Sequence, residues 1–377
     1  MRSTTSLTPS RLIPIALVLA LALPLAPPQS FGVEQSGQQV PPAQPDDFRV
    51  RVRVEMVTAP LVVRDRDGEF VYDLRREEVQ LEDKGVPQQI QVFEIASGPI
   101  SLVILVDTSQ RVAPLLERVR PTGVLFTSYI LGQQGEAAVV TFDTDVAVRQ
   151  EFTSDAEQII RAVEGLKPGG GHTRLADGLE RAVELLAERA EGRRGVIVAI
   201  TEARDEGSVV AMGMPLRRAQ LHGISVYTVT LNALDADLAR KPEDRPVPQS
   251  PYPPGVFPRP GVPGQVQTPT TEAQRQYGQV DILAAVVALV EGLRDTGYQS
   301  VNEVYAHGTG GLQFAPRSRG ALEQAISRIG QDLHNQYIIS YRPSNREEEG
   351  FHRITVRVSR PDVRVRHRPG YYVGPPL

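Results

Sequence analysis

Cysteine is absent from all 377 residues. Disulfides, thiolate metal sites and lipid-modified cysteines are therefore excluded. Lysine is confined to Lys84, Lys167 and Lys241, so nothing supplies the Gly-Lys-Ser/Thr end of a phosphate loop. Phosphoryl transfer from an aspartate would also lack its supporting lysine. The net charge of −4 provides no basic field for nucleic acid or an anionic membrane. Beyond the first thirty or so residues, no apolar run reaches membrane-spanning length.

What the chain does have begins with a leader. Arg2 and Arg11 bracket a polar start, and an apolar run over 12–25 is broken by Pro14 and Pro24. Ala26, Ser30 and Gly32 follow as small residues. This pattern reads as a secretory signal peptide over 1–32, with an uncleaved N-terminal anchor as the alternative. Loss of the leader removes two arginines and makes the remainder more acidic. The expected protein is exported, periplasmic or secreted, with no membrane span after the signal is removed.

Residues 33–47 are rich in Gln and Pro and read as a flexible lead-in. Polar–apolar alternation over 48–57, then short strands at 61–64, 79–81 and 89–93, indicates a small antiparallel β module over 48–97. Asp65-Arg66-Asp67-Gly68 reads as a turn, since the fuller ligand series of a calcium loop is missing.

From Gly98-Pro99 the rhythm becomes strand–helix alternation. Apolar runs at 100–106, 137–142, 195–201 and 224–229 read as strands, with a short edge strand at 146–149. Helical spacing appears over 112–131, with a restart at Pro121. It appears again after the cap Thr153-Ser154-Asp155, over 175–186, 209–221, 282–293 and 301–307, and in a closing amphipathic helix over 322–333. Ten prolines between Pro242 and Pro269 mark an insertion over 235–279 without helical or strand periodicity. It reads as a surface loop; docking into an aromatic-lined groove is the alternative.

The tail, 336–373, is β again, with strands at 336–341, 351–358 and 363–366. The linker at 342–350 has the composition of a loop between paired strands. Each β segment is too small to bury a core alone. The two segments are therefore expected to pair into one β-sandwich-like domain, formed by both chain ends. Inserted into it, over 99–335, is an α/β domain with a doubly wound, mostly parallel sheet.

Two of its strands end in acids, Asp107 and Glu202. Carboxyl ends of parallel strands are where such sheets bind ligands. Three loops should meet there: Asp107-Thr108-Ser109-Gln110-Arg111, Gly171-His172-Thr173 and Thr201-Glu202-Ala203-Arg204-Asp205. Carboxylate and hydroxyl oxygens suit a hard divalent cation, Mg²⁺ before Mn²⁺ or Ca²⁺.

The order of elements and these loops resemble a von Willebrand factor type A domain, in particular bacterial secreted proteins in which that domain is flanked by a β module. Supporting phrases are Val139-Val140-Thr141-Phe142-Asp143, Phe152-Thr153-Ser154-Asp155, Gly165-Leu166-Lys167-Pro168-Gly169-Gly170-Gly171 and Pro369-Gly370-Tyr371-Tyr372. The resemblance implies a metal-ion-dependent adhesion site of the pattern Asp-x-Ser-x-Ser, with a loop threonine and a strand-end aspartate. Asp107, Ser109 and Thr173 match. Arg111 stands where the second serine is expected, and Glu202 where the aspartate is expected. A guanidinium cannot ligate a cation and opposes one electrostatically. The site therefore reads as degenerate.

Rival chemistries find little support. Gly169-Gly170-Gly171 lacks the pattern of a dinucleotide or phosphate loop. No Gly-x-Ser-x-Gly elbow is present. His172 has no nucleophile to serve, and no ligand set for metal-assisted hydrolysis is evident. The expectation is a protein that catalyses nothing and binds a partner presenting an acidic group. In one reading the partner's acid meets a cation held at Asp107, Ser109, Thr173 and Glu202. In the other, Arg111 pairs with Asp107 or Glu202, replaces the cation, and leaves a metal-free interaction protein or scaffold.

Overall fold

A computed structural model describes residues 56–189, 192–231, 300–345 and 348–373. The leader, the lead-in, the alternating stretch up to 55, the insertion over 235–279 and the helix over 282–293 lie outside the described residues. Among the described residues no helix is long and apolar enough to cross a membrane.

The first part of the β module supplies β1 (Val57–Arg64), β2 (Val79–Asp83), β3 (Val86–Gln88) and β4 (Ile90–Ile95). The α/β part then runs through β5 (Ile100–Asp107), α1 (Leu116–Val119), α2 (Gly123–Phe126), β6 (Glu136–Phe142), β7 (Val146–Thr153), α3 (Ala156–Glu164), α4 (Leu175–Ala187), β8 (Arg194–Thr201), α5 (Gly213–Leu221) and β9 (Ser225–Thr230). It finishes with α6 (Val301–Gly308), β10 (Gln313–Phe314) and α7 (Arg319–His334). The tail supplies β11 (Tyr337–Tyr341), β12 (Gly350–Val358), β13 (Arg364–His367) and β14 (Gly370–Val373).

The six-stranded sheet has the order β10-β9-β8-β5-β6-β7. Its pairings are parallel except that β7 runs antiparallel to β6. Every residue of β5 is buried, because both faces are covered, as a continuous Val/Ile/Leu run requires. Alternation divides the strand between two cores. Leu102, Ile104 and Val106 lie on one face, packed with Leu116, Phe126, Ile159 and Ile326. Val103 and Leu105 point the other way, toward Val140, Leu179, Val183 and Leu216. Truncating a side chain such as Leu105 to Ala would cost about 2–5 kcal/mol.

Pro121 sits in a 3₁₀ turn, Arg120–Thr122, between α1 and α2, as the missing N–H demands. Asp155 caps α3, its carboxylate accepting from the backbone of Glu157 and Gln158.

The chain ends form two four-stranded antiparallel sheets, β13-β1-β11-β4 and β14-β12-β2-β3. Each contains strands from before and after the α/β part. Leu61, Val63, Leu81, Ile339, Tyr341, Ile354 and Tyr371 fill a common core.

Several details depart from what the sequence predicts. The 342–350 linker does not join paired strands, because β11 is already flanked by β1 and β4. The chain therefore passes to the other sheet, where β12 pairs with β2 and β14. The strand expected at 61–64 begins at Val57. It includes Pro60, which β11 flanks on one side, while β13 pairs only from Leu61 onward. Proline is tolerated at such a half-open position. The edge strand expected at 146–149 continues to Thr153, and the helix expected from 209 starts at Gly213. Pro369-Gly370-Tyr371-Tyr372 leads into and forms part of β14, a strand that periodicity alone does not mark. A Cβ on Gly370 would lie 2.2 Å from the His352 carbonyl oxygen.

Candidate functional site

The carboxyl ends of β5, β6 and β8 gather the site. Asp107 closes β5 and is fully buried. Its Oδ1 accepts the backbone N–H of Ser109 at 2.9 Å, and the Thr201 hydroxyl donates to Oδ2 at 3.5 Å. Burial pushes its pKa up, to about 6. The Ser109 N–H and the nearby Ser109 hydroxyl pull it back, and the Glu202 charge adds to the rise. An acid so raised is partly protonated near neutrality unless a positive charge joins it.

The next residue ties β5 to the glycine loop. Thr108 donates its hydroxyl to Asp143 at 2.7 Å, and its carbonyl accepts Gly169 N–H at 2.7 Å. Gly170 N–H donates to Asp143 at 3.0 Å, while the Gly170 carbonyl accepts Gln110 N–H. Burial would raise the Asp143 carboxyl, but these donors together with Asp145 and Thr144 N–H hold it below its ordinary value. The glycines are required by this approach. A Cβ on Gly169 would sit 2.0 Å from Asp143 Oδ2, and one on Gly170 2.1 Å from Thr144 Oγ1. The loop whose glycines invite comparison with a phosphate cradle is a wrapper around a carboxylate. In sequence Asp143 passes for a turn residue; its position at the end of a buried strand, in Phe142-Asp143, is the signal that marks it.

Thr173 is fully buried at the entrance to α4. Its carbonyl accepts Glu206 N–H at 2.6 Å, which joins the second loop to the third. Asp205 reaches back to accept Ala176 N–H at 3.0 Å, and Ser208 accepts Asp177 N–H at 3.2 Å. The first turn of α4 is thus capped by the loop after β8, which satisfies backbone donors that a helix start leaves open. His172 is exposed and touches the site only through its backbone N–H, toward Thr144 Oγ1.

Glu202 follows β8 with its side chain wholly buried, and Arg111 Nε donates to its Oε1 at 2.5 Å. Ala203 beside it has φ +66°, in the left-handed region that costs a residue with a Cβ about 1 kcal/mol.

Ser109 Oγ, Thr173 Oγ1 and Glu202 Oε2 are buried without a well-formed hydrogen bond. Such atoms cost about 1–3 kcal/mol each unless something satisfies them. Together with the Asp107 carboxylate they are hard oxygen donors, the chemistry that a cation such as Mg²⁺ takes. In that respect the residues fit one. Arg111 works the other way, since it already neutralises half of the acidic pair. Among the described residues, no group of three or more His, Asp or Glu side chains gathers as a metal cluster.

Residues 102–205 match the sequence model of the von Willebrand factor type A domain. That segment contains Asp107, Ser109, Arg111, Thr173 and Glu202. No curated protein matches the chain. Similar solved structures include an aerotolerance-related membrane protein from Bacteroides fragilis, carrying multiple mutations to serine. It shares 15% identity over 62% of this chain and 98% of its own, with a TM-score of 0.39. Another is the conserved hypothetical protein BatB from Bacteroides thetaiotaomicron, at 17% identity over 62% of this chain and 99% of its own, TM-score 0.36.

Proposed function

From a chain that carries a von Willebrand factor type A domain over residues 102–205, we infer a non-catalytic protein-binding role at the carboxyl edge of the parallel sheet. The protein is exported, and its partner presents an acidic group to this edge. A divalent cation held by Asp107, Ser109, Thr173 and Glu202 Oε2 would supply an open coordination position for that acid. The carrying observation is that buried oxygens on all three loops, Ser109 Oγ, Thr173 Oγ1 and Glu202 Oε2, lack a well-formed hydrogen bond. The chain's own residues prepare the place. The Thr108–Asp143 bond and the glycine loop fix the β5 turn, and the Thr173–Glu206 bridge holds the second loop against the third.

Calorimetric titration of the full chain with Mg²⁺ and with Mn²⁺ tests this reading. Heat with a one-to-one stoichiometry, abolished in Asp107→Asn, is expected. No heat with either ion at several temperatures overturns the cation.

One observation favours a second reading, the seat of Arg111 on Glu202. Here the guanidinium takes the cation's role, and a partner's carboxylate meets Arg111 directly in the bidentate geometry that arginine favours. Partner capture from an envelope fraction would then survive a chelator and fail in Arg111→Ser.

A further inference from the structure

A second group of buried ionisable side chains lies in the β module. Asp83 and His352 are each wholly buried, with Nδ1 of the ring 2.8 Å from Asp83 Oδ1. The other ring nitrogen, Nε2, is 2.8 Å from the backbone carbonyl of Glu348. Tyr341 and Tyr371 both donate their hydroxyls to Asp83 Oδ2, at 2.9 and 2.8 Å. Tyr371 also stacks on the imidazole, ring centres 5.0 Å apart.

The geometry sets the protonation of the ring once Asp83 is ionised, and the donors around its carboxyl hold it below its usual value. A backbone carbonyl can only accept, and so can an ionised carboxylate. Both imidazole nitrogens face acceptors, so both must donate. A neutral ring would turn a lone pair toward one of them.

We propose that His352 is a buried imidazolium that fastens the connection following β11 onto β2 and β12, and that its deprotonation unfastens this strap while the α/β domain stays folded. The strap's other ties run to the same corner. Asn345 donates to the Asp83 carbonyl at 3.3 Å, Ser344 N–H donates to Gln88 at 2.9 Å, and Lys84 Nζ meets the Glu348 carboxylate at 3.0 Å.

The groups acting on the ring come from every neighbouring element: Asp83 on β2, Lys84 in the β2–β3 turn, Tyr341 on β11, Glu348 in the strap and Tyr371 on β14. Arg368, before β14, acts on Asp83 and both tyrosines. Burial opposes the charge on His352, and so does Lys84. The bonds to Asp83 and to the Glu348 carbonyl outweigh them and raise its pKa above the ordinary histidine value. Asp83 is pushed up by burial and held below its usual value by His352, Tyr371 and Tyr341. A raised histidine stabilises the fold fully below the ordinary value of about 6.5 and loses that contribution as pH rises through its folded value. The depressed aspartate contributes above its own ordinary value and is lost toward strong acid. The fastening is therefore complete in mildly acidic to neutral solution and opens on the alkaline side.

The test is ring ¹⁵N–¹H correlation spectroscopy on the full chain, whose six histidines can be followed separately, with amide hydrogen exchange measured in parallel. The expected result is a His352 ring protonated on both nitrogens at pH 6.5 and titrating above that value. Amide protection around 348–352 should fall more than tenfold across the titration, after correction for intrinsic exchange, with protection in β5 and β8 unchanged. Lys84→Gln removes the opposing positive charge together with one tie of the strap, and leaves Asp83, Tyr341 and Tyr371 on the ring; it should move the midpoint upward. A ring singly protonated at pH 6.5, a midpoint moved downward in Lys84→Gln, or protection at 348–352 that ignores the titration would each overturn the proposal.

Discussion

Arg111 Nε rests 2.5 Å from Glu202 Oε1, joining a guanidinium about a third exposed to a carboxylate with no exposure. The pair spans the loops after β5 and β8 and places a fixed positive charge where two acids would otherwise share a site. Removing one member of a buried pair leaves the other uncompensated. In chelator, Arg111→Ser should therefore destabilise the domain by roughly 2–4 kcal/mol, toward the lower end because Arg111 is partly solvated. Mg²⁺ should restore the loss and bind more tightly than in the parent. Urea unfolding with and without the ion measures both effects, and unchanged ion affinity would count against the role given to Arg111.

Asp107 makes an opposite prediction for stability and binding. Its folded pKa, about 6, lies above the unfolded value of about 3.9. The folded state thus binds the proton more tightly, and stability is lost as pH rises from about 4 through 6. The loss is on the order of 3 kcal/mol. Asp107→Asn keeps an oxygen for the Ser109 N–H and removes the titration. In ion-free buffer at pH 7 it should be more stable than the parent by roughly 1–3 kcal/mol, while losing any cation binding. Melting curves at pH 4.5 and 7 separate the two, and a parent whose stability is flat over that range would refute the raised value.

Ala203 offers a test of strain. At φ +66° its methyl is the sole source of the left-handed cost, and its N–H lies 3.3 Å from Thr201 Oγ1. Ala203→Gly should stabilise the fold by roughly 0.5 kcal/mol, the relief of strain being partly offset by the greater freedom of glycine when unfolded. Chemical denaturation of the two forms would settle the sign.

The glycine loop predicts a contrast between neighbours. Gly169→Ala drives a methyl into the Asp143 carboxylate and should cost about 2–3 kcal/mol. Gly171→Ala meets nothing within 4 Å and should stay within about 0.5 kcal/mol of the parent. Equal effects at the two positions would show that the wrapping of Asp143 is not what holds the loop.

Why some of this can be read from the sequence and some cannot follows from the residues involved. The runs that form β5 and β8 declare themselves, because a strand covered on both faces admits almost no polar residue, and the acids that end them stand out. Arg111 and Glu202 are visible as departures from a pattern, and a pairing of Arg111 with Asp107 or Glu202 can be expected from it, yet only the meeting of two loops selects Glu202. Asp143 is hidden because its partners, Thr108 and Gly170, come from other loops. The crossing between β11 and β12 is illegible for a different reason. A polar Pro/Asn/Gly linker has the same composition whether it reverses a hairpin or changes sheets, and only the occupied flanks of β11 decide. The imidazole of His352 sits in a strand of ordinary alternation, and its charge is set by Asp83, far away in sequence.

The interleaving of chain ends in the two outer sheets sets an order of assembly. Glu82 and Arg357, which pair across β2 and β12, are 275 residues apart. Of the earliest strands, β2 has only β3 to pair with, and β1 and β4 wait without a strand partner, until β11 to β14 arrive. The α/β part between them needs no such delay, since all its strands, from β5 to β10, are made before the tail that supplies β11 to β14. A chain cut short before β12 would hold a finished centre and two sheets with bare apolar edges. Such edges invite pairing with other copies, so the closing strands serve as the lock that makes the early ones safe.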